Sequence, residues 1–270
     1  MANEGLGVIG GGVMGEAILS RLIDQGLFEA SQIIVSDPQT ARREFLEQTY
    51  DVRTTTDNAE VVAQSPTLLL AIKPQILDLV AQDLRARAPQ NAAPLGLSIL
   101  AGVPLSRLAA AFPGWAMVRA MPNTPATVGA GVTALAAGAS TTADQLAWAR
   151  RIFASVGEVV EVPESSMDAV TALSGSGPGY VALIVEALAD GGVSVGLPRA
   201  TALQLAIQTL KGTAELLQQS QIHPGALKDR VTSPGGTTIA GIAQLEAAGL
   251  RSALIEAVQA AHRRSVELGQ

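Results

Sequence analysis

A run of three glycines sets the first constraint on this chain. Gly10-Gly11-Gly12-Val13-Met14-Gly15 follows the apolar stretch Leu6-Gly7-Val8-Ile9 and opens a segment in which Met14, Ile18 and Leu22 recur every four residues. A strand that turns at once into a helix, with G-x-G-x-x-G across the turn, reads as the first βα unit of a dinucleotide-binding sheet. The glycines have separate duties there. Gly10 permits the tight turn, Gly12 lets a pyrophosphate approach the backbone, and Gly15 lets helix and strand pack closely. The helix N-terminus adds unpaired N–H groups and the positive end of its dipole. Alone, the fingerprint could be only a tight βα turn. Its position and the units that follow favour the dinucleotide.

Those units continue the alternation. Residues 33–35, 67–72, 95–100, 116–120 and 159–162 read as further buried strands, with helices near 41–48, 76–87 and 143–154. Strands covered by helices on both faces are apolar throughout, as these are. The expected fold is an α/β, Rossmann-like dinucleotide-binding domain with a mainly parallel sheet over residues 1–163. After Val162-Pro163 the pattern changes. From Ser165 onward no strand is evident, and stripes such as Leu203, Ile207, Leu210, Ala214, Leu217 and Leu250, Leu254, Val258, Ala261 predict helices. Residues 164–270 are therefore expected to form an all-α domain. It carries few charges to keep its outer faces wet, so some of those faces should be covered by another chain. The competing account is that alanine, a good helix former of small apolar area, inflates the count.

Composition narrows the chemistry. Among 270 residues the net charge is -6 and aromatics are 3%, which excludes a general nucleic-acid binder. There is no cysteine, which excludes disulfides, thiolate metal sites and cysteine nucleophiles, and two histidines cannot alone make a metal centre. No metal is expected; a bound organic cofactor is. Met1-Ala2-Asn3-Glu4 carries no basic leader, and the apolar stretch near 180–195 is interrupted by Glu186 and Asp190, so a cytoplasmic protein is expected.

Several segments are candidates for the site. Ser36-Asp37 ends the second strand; an acid there accepts hydrogen bonds from the adenosine ribose and disfavours a 2′-phosphate. Ser36 is compatible with a phosphate, however, and Arg42 and Arg43 follow, either as ligands or as a solvated helix face. Ala71-Ile72-Lys73-Pro74 closes another strand at its carboxyl end, the edge where such sheets bind ligands, so Lys73 either faces the cofactor or is an ordinary charged residue leaving the strand. Ser174-Gly175-Ser176-Gly177-Pro178 fails the hydrolase pattern because position 172 is Ala, and reads as a helix start with close backbone approach. His223 before Pro224 suits a turn, and His262 on an apolar stripe suits packing or an interface. Ser233-Pro234-Gly235-Gly236-Thr237-Thr238 precedes a helical stretch. It is either an ordinary cap or a carboxylate site built from backbone N–H groups and hydroxyls, and paired glycines exceed what a cap needs.

With the runs Met121-Pro122-Asn123-Thr124-Pro125 and His223-Pro224-Gly225-Ala226-Leu227-Lys228-Asp229 added, these segments are more discriminating than the glycine loop. Together with 227–238, they make the chain resemble the pyrroline-5-carboxylate reductases over nearly its full length. The resemblance implies reduction of the cyclic imine pyrroline-5-carboxylate to proline with NADPH or NADH. It implies cofactor contacts from Ile9, Gly10, Gly11, Gly12, Val13 and Met14, and from Asn58, Ala71, Lys73, Pro74, Ala101 and Gly102. Ser36 and Asp37 complete the cofactor set from the reading of the second strand. Ser233, Gly236, Thr237 and Thr238 would hold the substrate carboxylate and ring, with Thr238 the catalytic candidate at the ring nitrogen. A homodimer, assembling further into a decamer of five dimers, is also implied; the apolarity of the helical domain is what points to residues around 180–210 as its interface. Two positions depart from the family pattern: Asp37 stands where a neutral or phosphate-binding residue is common, and Ile222 where glutamate is common.

Two other readings compete. A β-hydroxyacid dehydrogenase joins the same kind of domain to helices and uses a lysine there; Lys211 and Lys228 are the lysines after residue 163. A nucleotide-sensing protein would bind the cofactor without turnover.

Overall fold

A computed structural model describes residues 5–89 and 93–269. Residues 1–4, the stretch that carries no basic leader in the sequence, lie outside the described residues. Among the described residues eight strands form one sheet: β1 (Leu6–Ile9), β2 (Ile33–Ser36), β3 (Arg53–Thr55), β4 (Thr67–Leu70), β5 (Leu95–Ser98), β6 (Ala116–Met121), β7 (Gly131–Ala137) and β8 (Gly157–Glu161). Their order is β3-β2-β1-β4-β5-β6-β7-β8. All neighbours pair in parallel except β6 and β7, which are antiparallel. A 3₁₀ turn (Thr124–Val128) ending at Gly129, with φ 72°, brings the chain back for that pairing.

The helices α1 (Val13–Asp24), α2 (Thr40–Tyr50), α3 (Asn58–Gln64), α4 (Leu77–Arg87), α5 (Leu105–Ala111) and α6 (Ala143–Ala154) cover this sheet. Because successive side chains of a strand point to opposite faces, the apolar runs feed two cores. Leu6, Val8, Val35, Leu69, Leu97 and Val118 join Ile18 and Leu22 of α1 and Phe153 of α6. Ile9, Ile34, Leu68 and Leu70 meet Val61 of α3, Leu77 and Leu84 of α4, and Leu108 of α5. Truncating any one of these leucines to alanine is expected to cost about 2–5 kcal/mol.

The chain continues through the single turn α7 (Met167–Val170) and a π-helical turn (Thr171–Gly175) to α8 (Gly177–Ser194), α9 (Arg199–Ser220), α10 (Pro224–Arg230), α11 (Thr237–Ala247) and α12 (Leu250–Gly269). By contacts the chain divides into two compact units, Met1–Gly175 with Ala261–Gln270, and Ser176–Ala260. The change of pattern at Pro163 marks where strands stop; the compact boundary falls later, at Gly175. The reason is local. Glu164 accepts from the Leu105 N–H and pairs with Arg119, Met167 is fully buried in the second core, and Ser265 donates to Asp168 at 2.7 Å.

The second unit buries little by itself. Among its described residues the buried apolar set is Ala189, Ala202 and Ala206, where α8 packs on α9. Leu183, Leu188, Leu205 and Ile207 stay exposed. By length and composition alone, Glu164–Ser194 is apolar enough to cross a membrane.

Candidate active site

The strand order reverses between β1 and β4, since β2 and β3 lie to one side and β5 to β8 to the other. Such a switch point opens a crevice at the carboxyl ends of the strands. The loops after β1 and β4 meet there. Gly10 has φ +100°, and a Cβ on it would lie 2.7 Å from the Ala71 carbonyl oxygen. A Cβ on Gly15 would lie 2.6 Å from the Gly10 carbonyl oxygen, so helix and strand approach as the fingerprint requires. Around Gly12 the opposite holds: a Cβ there would meet nothing within 4 Å. Gly12 is also the N-cap of α1, and no side chain caps that helix. Glycine in place of serine at a cap costs only about a few tenths of a kcal/mol. It leaves the first-turn N–H groups open to an anion, and Val13 beside them is 73% exposed. A dinucleotide's pyrophosphate fits this cradle.

The other cofactor candidates surround the same edge in differing ways. Lys73 is exposed and precedes a 3₁₀ turn begun by Pro74. Ala101 and Gly102 form the turn after β5, and Gly102, with φ +73°, has the Leu268 carbonyl beside it. Ser36 is buried and donates to Asn58 Oδ1 at 2.6 Å, so these two candidates touch each other. Asp37 is 9% exposed; one carboxylate oxygen accepts from the Gly11 N–H at 3.0 Å, the other from the Gln39 N–H at 2.9 Å.

Sequence reasoning did not find the cluster behind the loop. Arg42, rather than lying on a solvated helix face, donates from Nε to the Gly11 carbonyl and from Nη2 to Glu16. Tyr50 donates to the other Glu16 oxygen at 2.8 Å. Burial pushes the Glu16 carboxyl up, but hydrogen bonds from Arg42 and Tyr50 and the Arg42 charge outweigh it and hold the group below its ordinary range. Burial, then the bond to Glu16 and its charge, push the Tyr50 phenol up. Arg43 instead donates to the Asp37 carbonyl at 2.8 Å and to Thr40 at 3.2 Å.

In the second unit, Ser233-Pro234-Gly235 forms a turn in which Gly235 has φ +67° and the Gly236 N–H donates to the Ser233 carbonyl at 3.0 Å. Gly236 is the N-cap of α11, again with no side-chain cap. A Cβ on Gly236 would lie 2.3 Å from Ser233 Oγ and 3.2 Å from the Ser233 carbonyl oxygen, so a side chain there would have to displace the Ser233 hydroxyl. Thr237 and Thr238 therefore open a helix whose first N–H groups lack a capping side chain, the condition for holding a carboxylate.

Among the remaining candidates, Ser174, His223 and Lys228 have local partners. Ser174 donates its hydroxyl to the Val170 carbonyl at 3.0 Å, and its own carbonyl accepts from Asn123 at 3.1 Å. His223 Nδ1 accepts from the Gly225 N–H at 3.1 Å and starts α10. His262 and Lys211 are exposed, and Lys228 pairs with its neighbour Asp229 at 2.6 Å.

A switch-point sheet with an uncapped glycine loop, joined to an apolar helical unit, defines a dinucleotide-dependent oxidoreductase. Residues 5–102 match the family described as NADP oxidoreductase, coenzyme F420-dependent, and residues 164–268 match that described as pyrroline-5-carboxylate reductase dimerisation. The chain is 60% identical over 265 residues to the pyrroline-5-carboxylate reductase of Synechocystis, covering 98% of each chain. The pyrroline-5-carboxylate reductase structure from Coxiella burnetii superposes with a TM-score of 0.92 at 34% identity, covering 99% of each chain. That of the Plasmodium falciparum enzyme, with NADP bound, gives 0.89 at 30% identity over the whole of each chain. This chain belongs to the pyrroline-5-carboxylate reductase family.

Proposed function

We infer that this chain reduces 1-pyrroline-5-carboxylate to L-proline with NADPH, and also accepts NADH. The observation that carries the reading is the 60% identity across nearly the full chain to a reductase of that name. The glycine loop supports it, since its residues fit the cofactor the reaction needs. When bound, the reduced nicotinamide supplies the hydride.

The rest falls to the protein. A protonated cyclic imine is already electrophilic at carbon: hydride adds there, the π pair of the C=N bond goes to nitrogen, and the secondary amine results. No covalent nucleophile is needed, and alignment is the main task. In this reading the α1 N-terminus and Gly10–Met14 hold the pyrophosphate, with Ser36, Asp37, Asn58, Ala71, Lys73, Pro74, Ala101 and Gly102 along the cofactor path. Ser233, Gly236 and Thr237 frame the substrate carboxylate, with the donors being the hydroxyls and the uncapped N–H groups of the first turn that Gly236 opens. Thr238 bonds to the ring nitrogen, orienting the ring or donating its proton.

The exposed apolar side chains of α8 and α9 support a homodimer formed through those helices, and dimers assembling into a decamer. Such a dimer face also accounts for the apolarity of Glu164–Ser194, and we place the enzyme in the cytoplasm. The test of function is oxidation of NADPH by pyrroline-5-carboxylate set against 3-hydroxyacids with NADP. Turnover with the imine alone supports the reading. Turnover with hydroxyacids, or cofactor binding without turnover, would replace it.

A further inference from the structure

The two peptide units that lead into Gly12 are each held by a charged side chain from outside the loop. Asp37, at the end of β2, accepts from the Gly11 N–H at 3.0 Å, which fixes the plane of the Gly10–Gly11 peptide. Arg42, on α2, donates to the Gly11 carbonyl, which fixes the plane of the Gly11–Gly12 peptide. In a planar trans peptide the C=O and the following N–H point in opposite directions. A Gly11 carbonyl drawn towards α2 therefore turns the Gly12 N–H away from α2. Gly12 is the position where a Cβ would find open space.

Three consecutive glycines give this segment little preference of its own, because glycine populates positive and negative φ about equally. A peptide flip would cost little without outside contacts. Arg42 supplies such a contact and is itself held. Its guanidinium pairs with Glu16, lies 5.0 Å over the Phe45 ring, and has Tyr50 fastening the far oxygen of Glu16. The side chains of Arg42 and Glu16 are 23% and 24% exposed, so the pair is screened less than a surface ion pair. Leu46 closes the same side: a Cβ on Gly11 would lie 2.7 Å from Leu46 Cδ1.

We propose that Arg42 is a positioning residue for cofactor binding: it sets the orientation of the Gly11–Gly12 peptide and so aims the Gly12 N–H at the cofactor's phosphates. It acts on the pyrophosphate common to both cofactors, not on a 2′-phosphate. The proposal rests on the glycine loop being the cofactor site, and the test separates the two.

Dissociation constants and KM for NADPH and for NADH would be measured on the full chain for Arg42→Met, Arg42→Lys, Tyr50→Phe and Gly12→Val, with kcat at saturating cofactor and the thermal midpoint of each. Arg42→Met should weaken both cofactors by the same factor, about tenfold, for one lost charge-assisted bond. The KM for the imine and kcat should stay near those of the parent. Arg42→Lys should recover part of the loss, since one ammonium cannot span the Gly11 carbonyl and Glu16 as a fork does. Tyr50→Phe should show a smaller loss of equal size for both cofactors, and it decides the matter if Arg42→Met does not fold. A loss confined to NADPH would overturn the proposal and make Arg42 a direct ligand of the 2′-phosphate. So would unchanged affinity for both. If Gly12→Val also left affinity unchanged in a folded protein, the cofactor site itself would be misplaced.

Discussion

Gly10 and Ala71 meet backbone to backbone at the point where the strand order reverses: a methyl on Gly10 would lie 2.7 Å from the Ala71 carbonyl oxygen. Gly10 also has φ +100°, so alanine there suffers twice. Gly10→Ala should cost at least about 1–3 kcal/mol from the backbone alone, read as a lowered denaturation midpoint. Two residues on, Gly12→Val enters open space and should keep most of the stability while cofactor affinity falls. Calorimetric titration with each cofactor checks the pair, and equal stabilities with equal affinities would contradict the division of duties.

Asp37 carries both a charge and two backbone N–H groups. Asp37→Ser replaces two carboxylate oxygens with one hydroxyl, which can serve the Gln39 N–H but leaves the Gly11 N–H without its acceptor, at a cost of about 1–3 kcal/mol. It also removes repulsion of a 2′-phosphate, so the ratio of kcat/KM values should move towards NADPH. Steady-state kinetics with both cofactors measures that ratio. An unchanged ratio means the carboxylate serves the loop alone.

Leu183 is 67% exposed on α8, so no core contact within its own chain explains an apolar residue there. Leu183→Asp should leave the single chain's packing intact and dissociate the assembly, because a charge buried in an apolar interface lacks a partner. Sedimentation at micromolar concentration reads this directly. A Leu183→Asp protein that sediments as the parent does would move the interface off this face.

Thr238 follows two glycines and another threonine at the start of α11. Thr238→Ala should lower kcat for imine reduction with little change in cofactor affinity, by about 1–3 kcal/mol of lost hydrogen bonding in the transition state. Thr238→Ser keeps the hydroxyl and should keep much of the rate. Wild-type kcat and KM in a folded Thr238→Ala protein would remove both roles from this residue.

The first βα unit was legible because Leu6–Ile9 and the glycine fingerprint are contiguous and each glycine has a local steric duty. The antiparallel β7 was not, since Gly131–Ala137 is built mostly of small residues with weak strand preference. Arg53–Thr55 escaped notice as a short, partly exposed polar edge strand. The change of pattern at Pro163 and the compact boundary at Gly175 differ because hydrophobic period reports where strands end, whereas Glu164, Met167 and Asp168 still make their contacts within the first unit. Arg42 shows the limit at the site. Its bond to Gly11 spans 31 residues, and nothing local separates it from Arg43 beside it.

The central claim is hydride transfer to a cyclic imine, and isotope tracing tests it most directly. The enzyme would be given pyrroline-5-carboxylate and NADPH carrying deuterium at the transferable position of the nicotinamide ring, and the proline formed examined by mass spectrometry and NMR. The account predicts one deuterium per proline, on the ring carbon that was the imine carbon, for each cofactor oxidised. Cofactor oxidation without deuterium in proline, or binding of both ligands without product, would contradict it.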